Sequence, residues 1–463
     1  MKIEGTKTYV DHNKDVIKGA IFVSQNNGHS FLSKKDLDLV SSILVPEPIL
    51  ENLDKIKVLP KLDKRILTII EKEYRLSLDS FENFFVTGTN GKTTATHFLS
   101  QILFKNKINN GLMGTLGSFI NCKQINQQRL TTETPIFIRN FLRVNKENKI
   151  KHILYEASSI GIEKERLSGL PVSHCGFTNF TRDHLDQHLS MKHYLNAKLK
   201  LVKKAQKTFA YNADDPMSDK WLNVFSGQDA FAISSANPNS DIYFEILKRY
   251  SNGLIEFKIE TPWGSGKASA KLFADFNITN LLIGLPYFIN QELTLDNFLS
   301  SIKDLKLPDG RQKLLKYKGN SIFIDYAHTP DAIEKLLSNL TKIRSSKLTI
   351  IIGAGGDRDH GKRKLMGNVS SRYADHIVIT SDNPRNENPQ AIAEMIKEGI
   401  EKSARYEIIL DRAEAICSSI SNLTENEILV IVGKGHESYQ INGNRKEFFS
   451  DEKEVKRCIG LKD

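Results

Sequence analysis

The C-terminal third of the chain alternates short apolar runs with helical patterns, and this alternation limits its possible folds more than any other feature. The apolar runs are Ser321–Asp325, Leu348–Gly353, His376–Thr380, Tyr406–Leu410 and Ile428–Val432. Helical patterns separate them, for instance at Asp331–Ile343 and Ala391–Ser403. Continuous apolar strands with helices between them are typical of a parallel sheet that is covered on both faces. The sequence therefore predicts an α/β region here.

Each of these predicted strands is followed by a polar, glycine-rich or charged segment. The segments read DYAHTP, GAGGDRDHGKR, SDNPRNE, DRAE and GKGHE. In open α/β sheets, ligands bind beyond the carboxyl ends of the strands. Because all five segments occupy that one topological position, we predict that they form a binding face.

The preceding part of the chain has a similar layout. Its strand candidates end in VTGTNGKTT, MGT, YEASS, TNFTRDHLD and YNADD, and the stretch 217–270 is less regular and compatible with antiparallel strands. A helix is predicted near the end of Lys271–Leu285. The segment Leu307-Pro308-Asp309-Gly310 interrupts the pattern and is a candidate hinge. We therefore predict three domains, at residues 1–78, 79–308 and 309–463.

A phosphate-binding loop is the most specific motif of the central region. The apolar segment Phe84–Thr87 leads into Gly88-Thr89-Asn90-Gly91-Lys92-Thr93-Thr94. A helix is predicted next, with Ala95, Phe98, Leu99, Ile102 and Leu103 on one face. Backbone N–H groups of such a loop cradle phosphates, the lysine neutralises their charge and the following threonine reaches Mg²⁺. The general pattern has glycine where this chain has Val86, and the alternative is a glycine-containing turn that binds nothing.

Two further residues of the central region are candidate metal ligands. Glu156 in YEASS and His184 in NFTRDHLDQH each follow a predicted strand. A carboxylate suits Mg²⁺, whereas histidine is a less common ligand for so hard an ion. The alternative for His184 is a hydrogen-bonded core histidine.

Composition excludes several classes of protein. The 463 residues carry a formal charge of +10, with 40% hydrophobic and 26% charged residues, as in ordinary soluble globular proteins. No apolar run approaches the roughly 20 residues that span a bilayer, and the first residues lack the apolar core of a secretion signal. The lysines are scattered rather than clustered, so we expect no nucleic-acid partner. We expect a cytoplasmic protein without membrane insertion.

The four cysteines give a separate expectation. Cys122, Cys175, Cys417 and Cys458 lie far apart, without a CxxC pair. That spacing excludes a zinc ribbon or a dense disulfide framework and fits a reducing compartment. We interpret the cysteines as small apolar core residues.

In their order along the chain, these motifs resemble the Mur ligase family. They are GTNGKTT, EASS, N-x-T-R-D-H-L-D, DYAHTPD, GGDRD-x-GKR-x-x-M, DNPR and GKGHE, and the resemblance covers about residues 84–450. The last four resemble the branch that adds the third amino acid to the peptidoglycan precursor UDP-MurNAc-L-Ala-D-Glu. The resemblance implies a small N-terminal α/β domain that binds UDP-MurNAc, a central ATPase-type parallel sheet and a C-terminal Rossmann-like domain. It implies an ADP-forming ligase that makes an amide through an acyl phosphate.

The resemblance also implies roles at the nucleotide and metal sites. Gly88–Thr94 would bind the phosphates of ATP, and Asn277, Asn280, Asp325 and His328 would lie near its base and ribose. Thr93, Glu156 and His184 would hold Mg²⁺. Lys198, in YLNAKLKLV, matches a lysine that is carbamylated in the family and would then hold a second Mg²⁺. Lys92, Glu156, His184 and Lys198 are thus the candidate catalytic residues; from the residues alone, Lys198 would be a solvated helix lysine.

The two other substrates are assigned in the same way. Thr131, Thr132, Ser158 and Arg166 match positions that contact the UDP-MurNAc part. Arg358, Asp382, Asn383, Pro384, Arg385, Gly433 and Glu437 match the pocket for meso-diaminopimelate. In that pocket, the fork of Arg385 suits the distal carboxylate, which L-lysine lacks. The alternative is that Arg385 pairs with Glu387 on its own loop.

Three departures from the family pattern concern the UDP-MurNAc side. Ile160 stands where histidine is usual, Lys164 where glutamine is common, and Asp11-His12-Asn13 stands where Asp-Ser-Arg is expected.

The alternatives to this function are an L-lysine-adding enzyme, a folylpolyglutamate synthetase or D-Ala-D-Ala-adding ligase, and a noncatalytic relative that binds a nucleotide sugar. We expect a monomer that acts on small-molecule substrates.

Overall fold

The N-terminal part of the chain forms a small parallel sheet. The computed structural model describes residues 7–24, 28–45, 54–59, 62–127 and 130–461. The strands are β1 Tyr9–Val10, β2 Ile21–Val23, β3 Ser42–Val45 and β4 Ile56–Val58, and the helices are α1 Lys34–Leu39 and α2 Leu62–Glu73. The strands pair in parallel in sequence order. Its core contacts Ile136 of the central region, so the small sheet packs directly on the next unit.

An eleven-stranded sheet forms the centre of the molecule. Its strands are β5 Glu82–Thr87, β6 Asn110–Gly114, β7 Gly117–Ile120, β8 Lys123–Asn126, β9 His152–Glu156, β10 His174–Phe177, β11 Thr208–Asn212, β12 Asp229–Ser234, β13 Ile242–Arg249, β14 Leu254–Thr261 and β15 Gly264–Lys271. Its helices are α3 Lys92–Lys105, α4 Pro135–Glu147, α5 Ser159–Glu163, α6 Leu185–His188, α7 Met191–Val202, α8 Ser218–Leu222, α9 Phe276–Leu282, α10 Leu285–Ile289 and α11 Leu295–Ile302.

The central sheet is parallel in its middle and antiparallel at both edges. The order is β15-β14-β13-β12-β11-β10-β5-β9-β6-β7-β8, with antiparallel pairs at β13–β14–β15 and β6–β7–β8. The predicted antiparallel strands within 217–270 are therefore confirmed. The predicted apolar face of α3 is also confirmed, because Ala95, Phe98, Leu99, Ile102 and Leu103 are all buried.

The C-terminal region forms a six-stranded sheet and a hairpin. The strands are β16 Lys313–Tyr317, β17 Asn320–Asp325, β18 Leu348–Ile352, β19 His376–Ile379, β20 Tyr406–Ile408, β21 Ile428–Val432, β22 Tyr439–Asn442 and β23 Arg445–Phe448. The helices are α12 Pro330–Thr341, α13 Gly361–Tyr373, α14 Pro389–Lys397, α15 Arg412–Ser421 and α16 Asp451–Cys458. All five predicted strands are present and parallel, in the order β17-β21-β18-β19-β20, and β16 adds an antiparallel edge. The predicted α/β class is confirmed.

The expectation that the cysteines are small apolar core residues was wrong for three of the four. Cys417 of α15 and Cys458 at the end of α16 form a disulfide, with Cα atoms 5.4 Å apart. The pair is 41 residues apart in sequence, and only the packing of the two helices against each other brings it together. Cys175 is a buried free thiol, as expected, whereas Cys122 is exposed. In the described part of the chain, no helix is both long and apolar enough to cross a bilayer.

Candidate active site

The predicted phosphate loop joins the central strand β5 to α3. Gly88 and Gly91 have φ angles of 141° and 88°, a region that glycine occupies without strain. The Lys92 ammonium folds back over the loop and donates to the carbonyl oxygens of Gly88 at 2.9 Å and Thr89 at 2.8 Å. Val86 lies within β5 and is fully buried, so the tight turn begins only at Gly88. The departure from the general glycine pattern therefore leaves the loop intact.

Glu156 ends β9, the strand beside β5, and its carboxylate lies against the start of α3. One oxygen accepts from the Thr93 hydroxyl at 2.8 Å and from the Thr115 hydroxyl at 3.0 Å, and the other accepts from the Thr115 N–H at 2.9 Å. Burial raises the pKa of Glu156, while the positive charge of Lys92 and the Thr93 hydrogen bond oppose that rise. The structure thus brings the phosphate loop and a predicted Mg²⁺ ligand together.

Lys198 is buried, with 1% of its surface exposed, and is not a solvated helix lysine. Its ammonium donates to the same Gly88 carbonyl at 2.7 Å and lies 4.7 Å from the centre of the Tyr194 ring. Burial, and then the nearby charge of Lys92, lower the pKa of Lys198 well below its ordinary value. A neutral amine is therefore accessible here at a pH where exposed lysines are charged.

His184 lies next to this cluster with a strained backbone. Its φ is 54°, and its ring Nε2 is 3.4 Å from a carboxylate oxygen of Asp183. Burial lowers the pKa of His184 to about 4, with Lys198 and Lys92 acting in the same direction. The ring is therefore neutral at physiological pH, the form in which histidine binds metals.

A cavity of about 350 Å³ lies where the central and C-terminal sheets meet. The predicted ATP residues that line it are Thr89, Asn90, Gly91, Lys92, Thr93, Thr94, Asn277, Asn280, Asp325 and His328. Asn280 donates to Asn277 at 3.2 Å, and Asp325 accepts from the backbone N–H groups of Gln312 and Ala327 at 2.8 and 2.7 Å. The two halves of the predicted ATP site, which lie far apart in sequence, thus face one cavity.

Sequence reasoning missed two residues of this cavity. Arg311 donates to the Thr93 hydroxyl at 3.3 Å, and its guanidinium lies 4.6 Å from the centre of the Tyr326 ring. The sequence signal that could have identified Arg311 is its position directly after the Leu307–Gly310 hinge. A hinge segment between two sheets lies where the sheets meet.

The second missed residue is Asp183, one residue before His184. Its buried carboxylate lies 3.4 Å from Lys362 and 3.6 Å from His328, both in the C-terminal region. Burial alone would raise the pKa of Asp183, but Lys362 and the histidines hold it well below its ordinary range. Asp183 is therefore a charged contact between the two regions, together with the neighbouring Arg182–Asp359 pair at 2.8 Å.

The four residues assigned to the UDP-MurNAc side form one connected cluster beside Glu156. The Thr132 hydroxyl donates to the Glu156 backbone carbonyl at 2.9 Å and lies 3.0 Å from the Ser158 hydroxyl. Arg166 donates to the Thr132 carbonyl at 2.9 Å, and the Thr131 hydroxyl lies 3.1 Å from that of Thr115. Ser158 also caps α5 by accepting from Gly161 N–H. The cluster is therefore contiguous with the metal-ligand candidates.

The N-terminal sheet reaches this cluster through Asp11. Its carboxylate accepts from the Thr134 hydroxyl at 3.1 Å, and its charge acts on Arg166. Asp11 is the first residue of the segment that departs from the expected Asp-Ser-Arg. That segment therefore lies at the edge of the cluster.

The turn Asp382–Arg385 follows β19 at the carboxyl edge of the C-terminal sheet. Asp382, Asn383 and Pro384 are buried, and Arg385 is half-buried with a φ of 52°. The Arg385 guanidinium donates to the Gly356 carbonyl at 2.8 Å, and no carboxylate of the described residues forms an ion pair with it.

The alternative pairing of Arg385 with Glu387 was wrong. Glu387 is instead bound by the two terminal nitrogens of Arg363, at 2.7 and 2.8 Å. The buried Arg363 holds the pKa of Glu387 at about 2. Among the described residues, Arg385 therefore forms no ion pair at the mouth of the turn.

Three further residues complete the predicted amino-acid pocket. Glu437 accepts from the Asn383 side-chain amide at 3.0 Å. Gly433 has a φ of 111°, and a Cβ there would come within 2.6 Å of Asp382. Arg358 is exposed and lies 3.9 Å from Asp186 of the central region. Glu437 and Asn383 are thus in direct contact, whereas Arg358 lies on the face towards the central sheet.

Comparison with known proteins assigns the family. The Mur ligase middle domain matches residues 86–286, and the domain described as Mur ligase, glutamate ligase domain, matches residues 310–435. The chain belongs to the Mur ligase family. The expected fold is confirmed, because the Mur ligases among the solved structures share the same arrangement of parallel-dominated sheets.

Three similar proteins illustrate the relationship. The Mur ligase from Buchnera aphidicola subsp. Baizongia pistaciae, a UDP-N-acetylmuramoyl-L-alanyl-D-glutamate–2,6-diaminopimelate ligase, is 33% identical over 87% of this chain and 81% of its own. UDP-N-acetylmuramyl-tripeptide synthetase 2 from Oceanobacillus iheyensis is 31% identical over 97% of this chain and 94% of its own. A solved structure of a UDP-N-acetylmuramoyl-L-alanyl-D-glutamate–2,6-diaminopimelate ligase is 28% identical, covers 99% of this chain and 97% of its own, and has a TM-score of 0.63.

Proposed function

We propose that this protein is an ATP-dependent ligase of the MurE type that adds meso-diaminopimelate to UDP-MurNAc-L-Ala-D-Glu. The names and coverage of its relatives support the proposal. The observation that carries it is the convergence of Lys92 and Lys198 on the Gly88 carbonyl, with Glu156 bound to Thr93 beside them. Two lysines and a carboxylate gathered at one phosphate loop suit phosphoryl transfer rather than nucleotide binding alone.

In the first step, the terminal carboxylate of the dipeptide attacks the γ-phosphorus of ATP and displaces ADP, which gives an acyl phosphate. The loop N–H groups and the start of α3 bind the phosphates, and Lys92 offsets the charge that develops on the transferred group. In the second step, the amine of diaminopimelate attacks the acyl carbon, and phosphate leaves as the amide forms. The residues of this chain act mainly by positioning and by charge neutralisation.

The donors at the loop fit Mg²⁺. The Glu156 carboxylate and the Thr93 hydroxyl are hard oxygen ligands, and they already lie 2.8 Å apart. We assign Thr93, Glu156 and the neutral His184 as the residues that would hold the ion. When bound, Mg²⁺ would withdraw charge from the phosphate oxygens.

The environment of Lys198 fits carbamylation. Its lowered pKa favours the neutral amine, and that form adds to CO₂ to give a carbamate with loss of one proton. The product replaces a buried cation by an anion with two oxygens, which suits a second Mg²⁺. A buried lysine that forms no ion pair with a carboxylate of the described residues, held 2.7 Å from a loop carbonyl, is otherwise costly.

We assign the remaining pockets by their chemistry. Thr131, Thr132, Ser158 and Arg166 present hydroxyl and guanidinium donors to the sugar nucleotide. The guanidinium of Arg385 suits the distal carboxylate of diaminopimelate, and Glu437 suits the ammonium beside it. The remaining assignments to this amino-acid pocket are Arg358, Asp382, Asn383, Pro384 and Gly433.

The domain roles follow the same division. Residues 1–78 would contact the uridine nucleotide, 79–308 would bind ATP and 309–463 would bind the incoming amino acid. We propose a monomeric enzyme of the cytoplasm, where its nucleotide-linked substrates occur, that acts in peptidoglycan synthesis. An L-lysine-adding enzyme is the second candidate. One relative of this chain is named only a UDP-N-acetylmuramyl-tripeptide synthetase, and that name leaves the added amino acid open.

The experiment is an ADP-release assay with UDP-MurNAc-L-Ala-D-Glu and each candidate amino acid, with the product identified by mass spectrometry. We expect ADP, phosphate and the diaminopimelate tripeptide, and no AMP. Release of AMP, or the absence of turnover with every amino acid, would contradict the proposal. Preferential use of L-lysine would be consistent with the proposed ligase activity but would reject diaminopimelate as the added amino acid.

A further inference from the structure

A second cluster of potential metal ligands lies outside the nucleotide cavity. It consists of Glu163 at the end of α5, His188 at the end of α6 and His193 in the first turn of α7. One ligand atom from each lies within 4.8 Å of the others. None of the three lines the cavity that holds Lys92 and Glu156. The cluster therefore lies apart from the residues assigned to the proposed ligase reaction.

Both histidine rings turn a nitrogen towards the same carboxylate. Glu163 lies 2.9 Å from His188 Nδ1 through one oxygen and 2.7 Å from His193 Nε2 through the other. His188 is fully buried, yet its Nδ1 has no hydrogen-bond partner among the described residues, so its close approach to Glu163 is off the hydrogen-bond axis. Two ligands of one tetrahedral ion, each about 2.0 Å from it, lie about 3.3 Å apart and point at the ion rather than at each other.

The opposite nitrogen of each ring is fixed by the protein. His193 Nδ1 lies 2.8 Å from the backbone carbonyl of His188, and His188 Nε2 lies 2.9 Å from the Ser159 hydroxyl. A carbonyl can only accept, so the proton of a neutral His193 sits on Nδ1 and leaves Nε2 with a free lone pair towards Glu163. Protein groups that orient the outer nitrogen are the usual support of metal-binding histidines.

We propose that Glu163, His188 and His193 bind a divalent transition-metal ion, with Zn²⁺ as the best match. Two imidazoles and one carboxylate form a known zinc ligand set, which leaves one position for water. The exposure of the three side chains fits that arrangement: His188 is 0%, Glu163 28% and His193 49% exposed. The ion therefore has both a buried anchor and a path from solvent.

The position of the site gives it a structural consequence. The ion would join the end of α5, whose first turn is capped by Ser158, to the start of α7, which holds Lys198. These two helices lie beside the sugar-nucleotide cluster and the phosphate loop, respectively. Zinc would thus stabilise the relative position of two parts of the ligase site without contacting a substrate.

The test uses the full-length protein in excess Mg²⁺ and ADP, so that the nucleotide site is filled. Zn²⁺ is titrated by calorimetry, Co²⁺ is followed by its visible absorption, and thermal unfolding is recorded with and without Zn²⁺. The variants are Glu163→Gln and His193→Gln, both of which change partly exposed side chains. The matched control is Glu165→Gln, which removes an exposed carboxylate two residues away.

We expect one equivalent of Zn²⁺, a tetrahedral Co²⁺ spectrum and a higher unfolding temperature for the wild type and for Glu165→Gln. Both ligand variants should bind Zn²⁺ at least about tenfold more weakly and lose the temperature shift. Zinc binding by the two ligand variants with the affinity of the wild type would overturn the proposal, as would a wild type that takes up no Zn²⁺. In the latter case the cluster is a His–Glu–His ion network. All of these readouts are independent of the ligase activity.

Discussion

The two sides of the interdomain cleft hold their charged groups in different ways. On the central side, Glu156 and Lys198 are each 1% exposed, and their hydrogen bonds go to other parts of the site. On the C-terminal side, the Arg358 side chain is 44% exposed, and the hydrogen bond of the Arg385 guanidinium within the described part of the chain goes to the Gly356 backbone carbonyl. The groups proposed to act on every turnover are thus fixed in advance, whereas the groups proposed to select a ligand keep charge available for it.

The largest effects are expected where the groups are fixed in advance. Lys92→Ala and Glu156→Ala should each lower turnover by several orders of magnitude, because in the proposed reaction both residues act on the charge of the transferred phosphoryl group. ADP release under saturating substrates measures the loss, and circular dichroism checks the fold. Lys105→Ala, at the other end of α3, is the matched control and should remain active. Wild-type turnover in either site variant would refute the ATPase assignment.

Lys198→Ala should be nearly inactive, and high bicarbonate should not restore it, because the carbamate requires the amine. The same assay with added bicarbonate tests this expectation. Lys200→Ala removes an exposed lysine from the same helix and should behave like the wild type. Near-normal activity of Lys198→Ala would be consistent with the proposed ligase activity but would reject the proposal that this residue holds a second metal ion.

A smaller and more selective effect is expected on the C-terminal side. Arg385→Ala should raise KM for diaminopimelate or abolish its use, because removing one partner of a charged pair in a partly desolvated pocket costs about 2–5 kcal/mol. KM for ATP should change little, which separates this variant from those at the phosphate loop. Arg405→Ala, an exposed arginine outside the turn, is the control. If the wild type adds L-lysine as readily as diaminopimelate, the proposal that Arg385 selects diaminopimelate by its distal carboxylate is wrong.

The same contrast explains what could be predicted from the sequence. The strand positions and the phosphate loop depend on local patterns, and Ile428–Val432 was predicted to the residue. The edge strand β16 and the hairpin β22–β23 were not predicted, because their short, polar sequences lack a continuous apolar run. The burial of Lys198 also had no local signal. The burial follows from the packing of α7 on the phosphate loop. Only the family resemblance indicated that Lys198 belongs to this site.

Contacts between domains were the least predictable. Arg311 and Asp183 bind groups far away in sequence, and nothing in their own segments specifies those partners. The Cys417–Cys458 pair shows the same limit within one domain, since the packing of α15 on α16 had to be known first. Sequence patterns therefore predicted which residues are candidates for the chemistry, whereas the tertiary structure determines which of them meet.

The smallest effect is expected at the exposed contact between the two sides. Arg182 binds Asp359 through two nitrogens at 2.8 and 3.0 Å; the Arg182 side chain is 42% exposed, whereas that of Asp359 is 7% exposed. Because water reaches the Arg182 end of the pair, we expect a contribution of about 1 kcal/mol, so Arg182→Ala should change kcat/KM for any substrate by less than about fivefold. Lys362→Ala is the informative comparison, because it leaves the buried Asp183 carboxylate with a weaker counter-charge and should cost more. Measuring both variants at low and high salt separates the contacts, since salt screens the exposed pair far more than the buried one. A decrease in kcat/KM of more than tenfold for Arg182→Ala, unchanged by salt, would mean that this pair is desolvated in the working enzyme. The two sides of the cleft would then differ less than the exposures of their side chains indicate.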